Sequence, residues 1–176
     1  KRQEYMFSDP IKIVEQCGIQ AGQEIAEFGS GSGLYSMQVS KALMSSGRVY
    51  AVDVQKDLLA KLKNESVKQG LYNIEVIWGN IEKLGGTKLR DSSMDFVFLC
   101  NVLFQIDDKD VTIKEAKRVL KPAGRVVCVD WTDSFGGIGP APQHVFSKLS
   151  AEESFQKHGF HKEKEMQAGS HHYGFI

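Results

Sequence analysis

Two rhythms of apolar and polar positions take turns along this chain. Short runs rich in β-branched and aromatic residues recur at Glu24–Phe28 (EIAEF), Arg48–Asp53 (RVYAVD), Asn73–Trp78, Asp95–Cys100 (DFVFLC) and Arg125–Trp131 (RVVCVDW), each the length of a strand. Between them lie stretches with helical spacing: Leu34 to Met44, Lys56 to Gln69 with Leu58, Leu59, Leu62 and Val67 in step, and Asp110 to Leu120. Asp9-Pro10 reads as an N-cap followed by the first helical position, opening a helix with Ile13, Val14 and Cys17 on one face and Gly18 at its end. Gly70 caps the Lys56–Gln69 helix, and Lys121-Pro122-Ala123-Gly124 is a turn that stops the next one. Ser134 to Pro142 follows neither rhythm and is expected as a loop. Ala151–His158 predicts a last helix, and Lys162–Gln167 with His171–Ile176 a terminal pair of strands; Lys1–Phe7 shows no period.

Strands alternating with helices predict a doubly wound, Rossmann-like α/β sheet, mostly parallel with an antiparallel terminal strand and with helices on both faces. The nearly unbroken apolar run of DFVFLC fits a strand covered on both sides. At 176 residues the chain is expected as one domain, 1–176. Ligands of such sheets bind outside the carboxyl ends of the strands, which directs attention to Phe28–Gly33, Asp53, Gly79–Ile81, Cys100–Phe104 and Asp130–Asp133.

The first of these ends carries Gly29, Gly31 and Gly33 between a strand and a helix, where backbone approaches a ligand closely. Asp53 closes the second strand about 20 residues later, a spacing that suits a carboxylate accepting two hydrogen bonds from a ribose diol. A dinucleotide fingerprint wants a third glycine where this chain has Leu34, so a nicotinamide-dependent oxidoreductase is the alternative and not the first reading.

Glu27-Phe28-Gly29-Ser30-Gly31-Ser32-Gly33 resembles the first motif of class I S-adenosylmethionine-dependent methyltransferases, and four further segments resemble that family in the same order. They are VYAVD, GNIEKL (with Asn80 where the family most often has Asp), DSSMDFVFLCNVLFQIDD, and AKRVLKPAGRVVCVDW (with Ala123 in place of one glycine). Gly139-Pro140, Gly159-Phe160 and His172-Tyr173-Gly174 are similar to the endings of small ubiquinone/menaquinone-biosynthesis-type members. The resemblance implies a methyl transfer to a small-molecule acceptor, with S-adenosylmethionine as cofactor and S-adenosylhomocysteine as product. It implies that Glu27 organises the amino-acid end of the cofactor, and that Gly29, Ser30, Gly31 and Gly33 line it by backbone. Asp53 would hold the ribose with Val54 beside the adenine, Asn80 and Ile81 would contact the base, and Cys100 and Asn101 would lie near the ammonium.

A sulfonium leaving group asks the protein mainly for alignment, so no catalytic triad is expected. Candidates on the acceptor side are Tyr35, Asp130, Trp131, His144, His171 and His172, with only one of the adjacent histidines able to face a cleft from a strand. Lys1–Ser8 and the Asp133–Ser147 loop are expected to cover the acceptor, leaving room for a small molecule or for a partner protein. A subunit that binds cofactor without catalysis is a further alternative.

Composition narrows the classes. Lys plus Arg and Asp plus Glu are both 22, so no net field draws nucleic acid or an anionic membrane. Lys114, Lys117, Arg118 and Lys121 read as the solvated face of a helix. No run approaches the roughly 18 apolar residues of a membrane span, and no signal-peptide pattern opens the chain, whose first residue is not Met. Cys17, Cys100 and Cys128 are spaced too widely for a metal site and fit reduced core cysteines of a cytoplasmic protein.

Overall fold

The computed structural model describes residues 8–134 and 136–176. Strands β1 (Glu24–Phe28), β2 (Arg48–Asp53), β3 (Ile74–Trp78), β4 (Met94–Cys100) and β5 (Leu120–Trp131) run parallel to one another. β7 (His172–Phe175) pairs antiparallel with β5, and the two-residue β6 (Glu165–Met166) pairs antiparallel with β7. The strand order is β3-β2-β1-β4-β5-β7-β6. The chain therefore works outward from β1 to β3 and then returns to the other side of β1 as β4. That reversal opens a crevice at the carboxyl ends of β1 and β4.

Helices α1 (Pro10–Glu15), α2 (Leu34–Ala42) and α3 (Lys56–Lys68) cover one face, and α4 (Lys109–Val119) and α5 (Lys148–Lys157) the other. Strand periodicity divides the core accordingly. Phe96, Phe98 and Cys100 of β4 pack with Ile13, Met37 and Leu62, whereas Val97 and Leu99 pack with Ile113, Ala116 and Phe155. The Asp9 carboxylate accepts from the Ile11 and Lys12 amides, the N-cap that the Asp-Pro pair predicts.

Three segments differ from the reading of the sequence. Lys121–Gly124 is no plain turn, because β5 begins directly at Leu120. Met94 lies opposite Leu120 and Phe96 opposite Arg125, so two residues of β4 span five of β5 and the intervening ones bow out of the ladder. Helix α5 starts at Lys148, three residues before the expected Ala151, because the Ser147 hydroxyl accepts from the Ser150 amide and caps it. The terminal strands are shorter than expected, with Lys162 to Lys164 outside β6.

Arg118, read from the sequence as part of a solvated face, turns inward instead. Glu115 is fully buried and accepts from Arg118 Nε (2.7 Å) and Nη2 (2.9 Å), from Thr87 Oγ1 (2.6 Å) and from the amides of Gly85 and Thr87. Burial works to raise this carboxyl, but the bonds from Arg118, Thr87 and Gly85 outweigh it and hold it at about 2. A Glu115→Ala variant leaves the Arg118 guanidinium with Asp91 as its remaining carboxylate and three further donors without their acceptor. The expected loss is about 3–5 kcal/mol of unfolding free energy, read as a fall in urea midpoint. A loss below about 1 kcal/mol contradicts this account.

Candidate functional site

The crevice is a cleft of about 410 Å³ between the ends of β1, β2, β3 and β4. Seven of the residues singled out from the sequence line it: Gly29, Gly31, Asp53, Val54, Asn80, Ile81 and Asn101. Gly79 and Val102, within the strand ends that the sequence points to, line it as well, as do Gln55, Leu58, Glu82, Gln105 and Ile106, which had no site role in the sequence reading. Leu58 stands in step with Leu59, Leu62 and Val67 in the helical pattern, which does not separate a core position from a cleft position. Val102 and Ile106 sit in the segment around a 3-10 turn (Leu103–Gln105), where the i,i+4 spacing offered a signal.

The glycine loop is shaped by positive φ at Gly29, Gly31 and Gly33 (+74°, +53° and +86°). Val52 at the end of β2 accepts from both Gly29 and Ser30 amides, at 2.8 and 3.1 Å, which folds the loop back over β2. A Cβ on Gly29 would stand 2.7 Å from Val102, whereas one on Gly31 would meet nothing within 4 Å. Asp53 is buried; one carboxylate oxygen accepts from the Gly31 amide and the other from the Gln55 amide, each at 2.9 Å. Across the cleft, Asn101 takes a left-handed φ of +57°, a conformation Asn tolerates better than most residues. Its side-chain oxygen is buried without a partner among the described residues, as is the Ser30 hydroxyl. Asn80 is exposed, and its side-chain oxygen accepts from the Glu82 amide at 2.8 Å, an Asx turn that holds the β3 end. Val54 is 57% exposed, and its carbonyl accepts from the Trp78 indole.

The other four expected cofactor residues lie outside the cleft lining. Ser30 is buried in the loop and Cys100 in the sheet core. Gly33 begins α2 and faces α3, where a Cβ would stand 2.3 Å from Leu62. Glu27 is buried under the loop, and its Oε1 accepts from both the amide and the hydroxyl of Ser36, at 3.1 and 2.7 Å. Helix α2 has glycine at its N-cap and no side-chain cap of its own, so Glu27 caps it from the neighbouring strand. Burial pushes the Glu27 carboxyl up to about 8, against the Ser36 bonds and with help from nearby Asp53.

The acceptor-side candidates are dispersed, and none of them lines the cleft. Tyr35 is buried; its hydroxyl shares a 2.6 Å hydrogen bond with Ser8, and its ring lies 6.5 Å from that of Phe98. Asp130 is fully buried and turned to the other face, where it accepts from the amides of Trp131 and Phe104 and so fixes the 3-10 turn below the cleft. Burial raises it to about 6 despite these bonds. His144 is exposed, and His171 Nδ1 meets Asp133 at 2.9 Å. His172 is buried, with its ring 4.2 Å from the Trp131 ring and both nitrogens without a partner among the described residues. Burial lowers its pKa to about 4, so the imidazole is neutral near pH 7. Of the expected cover, 1–7 and residue 135 lie outside the described residues.

The donor set distinguishes between ligands. The cleft carries two carboxylates, Asp53 and Glu82, and no Lys, Arg or His among its lining residues. A pyrophosphate would enter a cleft of its own sign, whereas a ligand with cationic centres enters a favourable one. Each Asp53 oxygen keeps a further lone pair for a diol, and the orphaned Asn101 oxygen suits an ammonium. These residues fit S-adenosylmethionine. No group of three His, Cys, Asp or Glu side chains among the described residues is placed to hold a metal ion.

Comparison with known proteins agrees with that donor set. Residues 26–128 match the family model described as a methyltransferase domain. The chain is 27% identical over 135 residues to the ubiquinone/menaquinone biosynthesis C-methyltransferase UbiE of Hahella chejuensis, covering 76% of this chain and 53% of that protein. It is 29% identical over 119 residues to the demethylmenaquinone methyltransferase of Staphylococcus aureus, covering 68% and 47%. The chain thus spans about half the length of the curated relatives it matches. The crystal structure of a SAM dependent methyltransferase from Aquifex aeolicus superposes with a TM-score of 0.86 at 26% identity, over 99% of this chain and 92% of that one. With this cleft and these matches, the chain belongs to the methyltransferase domain family, among the class I S-adenosylmethionine-dependent methyltransferases.

Proposed function

We propose that the chain transfers a methyl group from S-adenosylmethionine to a small-molecule acceptor by in-line displacement. The observation that carries this reading is the cleft lined by two carboxylates and, among the described residues, no cation. It disfavours the nicotinamide dinucleotide of the alternative reading. The names of the two relatives make a ring of quinol type the first acceptor to try.

Bound S-adenosylmethionine supplies a methyl group already activated on a sulfonium. The chain's own residues then have to align and to exclude water. Asp53 holds the ribose hydroxyls with the lone pairs left over from Gly31 and Gln55. Val54, Leu58 and Ile81 form the apolar walls for the base, and Asn80 presents its side-chain amide beside them. Asn101 offers its unpartnered oxygen to the ammonium. Glu27 acts one step back, by fixing the first turn of α2 behind the loop. Alignment of this kind supplies about 7–11 kcal/mol at best without a strong base. For the acceptor we assign the end of the sheet that carries Trp131 and His172, whose neutral imidazole packs on the indole ring. Tyr35 shapes the same face of the sheet from α2. We place the protein in the cytoplasm: its three cysteines are free and buried, and no helix among the described residues is long and apolar enough to cross a membrane.

Labelled S-adenosylmethionine incubated with a naphthoquinol and with a metabolite extract is expected to give a methylated product. Cofactor binding without any product from either source would make the chain an idle binding subunit. In calorimetry, Asp53→Ala is expected to weaken S-adenosylhomocysteine binding by about tenfold or more, since charge-assisted bonds contribute about 1.5–3 kcal/mol each; unchanged affinity removes the ribose assignment. A third test uses pH. The Glu27 carboxyl is raised in the folded chain, so unfolding between its ordinary value of 4.5 and about 8 releases a proton. Stability present below pH 4.5 is lost as pH rises through 8. Glu27→Gln keeps an acceptor for Ser36 and removes the titration. The wild-type thermal midpoint should fall relative to that of the variant from pH 5 to 8; parallel curves contradict the burial effect.

A further inference from the structure

A second and larger hollow, of about 560 Å³, lies at the opposite end of the sheet, and it shares no residue with the cofactor cleft. It exists because of the jump in pairing at the start of β5. With Met94 opposite Leu120 and Phe96 opposite Arg125, residues 121–124 stand away from the sheet. The end of α5 and the segment 159–163 form the facing wall. Inside, the surface is apolar: Phe155 meets Phe160 and Phe175 edge-on, at 5.6 and 5.8 Å between ring centroids, and Leu120 and Val126 complete the floor. The volume falls within the roughly 300–1,000 Å³ of pockets that hold small ligands.

The rim is unbalanced in charge. Glu152 and Glu163, the carboxylates of the lining, are already paired with Lys162 at 3.0 Å and Arg125 at 2.6 Å. Lys121 is paired with Asp95 at 3.1 Å. Lys117 is exposed and makes no ion pair among the described residues. Its ammonium donates to the His158 carbonyl and lies 5.9 Å from the centre of the Phe160 ring. Gly159, which ends α5 with φ +85°, also makes way for it, since a Cβ there would stand 2.6 Å from Lys117 Nζ. An ammonium without a counter-ion thus borders a concave apolar surface. That combination matches a ligand with a hydrocarbon body and one anionic head.

We propose that this hollow binds a fatty-acid-type carboxylate, with its chain against Phe155, Phe160 and Phe175 and its head on Lys117. The site is separate from the transfer chemistry, so it stands or falls independently of the methyltransferase reading. The probe is dodecanoate, titrated into the isotope-labelled full chain by two-dimensional amide NMR. Saturable shifts are expected at Ala123, Gly124, Gly159 and Phe160 and not at Gly31 or Ile81, and saturating S-adenosylhomocysteine should not abolish them. Dodecylammonium should bind about tenfold more weakly, and Lys117→Gln should weaken dodecanoate about fivefold with an unchanged thermal midpoint. The head-group comparison uses the wild-type chain, so it decides the matter whatever the variant does. Non-saturable shifts, equal binding of the two head groups, or shifts centred on the cofactor cleft overturn the proposal. Stronger displacement of the same amides by an acidic amphipathic peptide does so as well, in favour of a polypeptide ligand.

Discussion

The Asp53 carboxylate accepts one hydrogen bond from Gly31, in the loop after β1, and another from Gln55, at the start of α3. It therefore joins the ends of two neighbouring strands with a charged group that is itself buried. The glycine loop can fold over β2 only because Val52 and Asp53 together accept three of its amides. What remains of the carboxylate's bonding capacity points at the cleft. One side chain thus sets the shape of the site and, together with Glu82, the sign of its charge.

Three other buried carboxylates, Glu27 on β1, Asp130 on β5 and Glu115 on α4, show the same device with different electrostatic outcomes. Glu27 fastens the first turn of α2, Asp130 the 3-10 turn at Leu103–Gln105, and Glu115 the segment 85–87. Glu27 and Asp130 have only neutral donors within hydrogen-bond reach, and burial raises them. Glu115 has the Arg118 guanidinium as well and is held low. Turns and helix starts are thereby tied to the core by groups whose charge state depends on whether a cation is among their donors.

The two ends of the sheet are specialised in opposite ways. At the carboxyl ends the strand order reverses, glycine and asparagine supply left-handed backbone, and the cleft is acidic. At the other end the ladder between β4 and β5 skips, aromatic rings line the gap, and cations gather at its rim. The first arrangement follows from topology common to open α/β sheets. The second follows from a local irregularity particular to this stretch of chain.

Much of this was legible in the residues. Strands β1 and β2 have the bounds that the apolar runs predict, because parallel strands covered on both faces read as dense apolar segments. Asp9, Gly29 and Gly31 announced themselves because capping and positive φ have few alternative residue types. The cofactor class was legible too, through motifs that fall at successive strand ends. Leu58 was not, since an apolar residue on a helix gives no sign of whether it faces core or cleft. Nor was the inward turn of Arg118, which depends on Glu115 being held by the segment 85–87, distant in sequence. The chain by itself determined which segments form strands, helices and loops, because propensity, period and capping are local. Only the tertiary structure decided which loops face one another, which carboxylates are buried with which donors, and where a skipped ladder opens a hollow. Those outcomes rest on contacts between residues far apart along the chain.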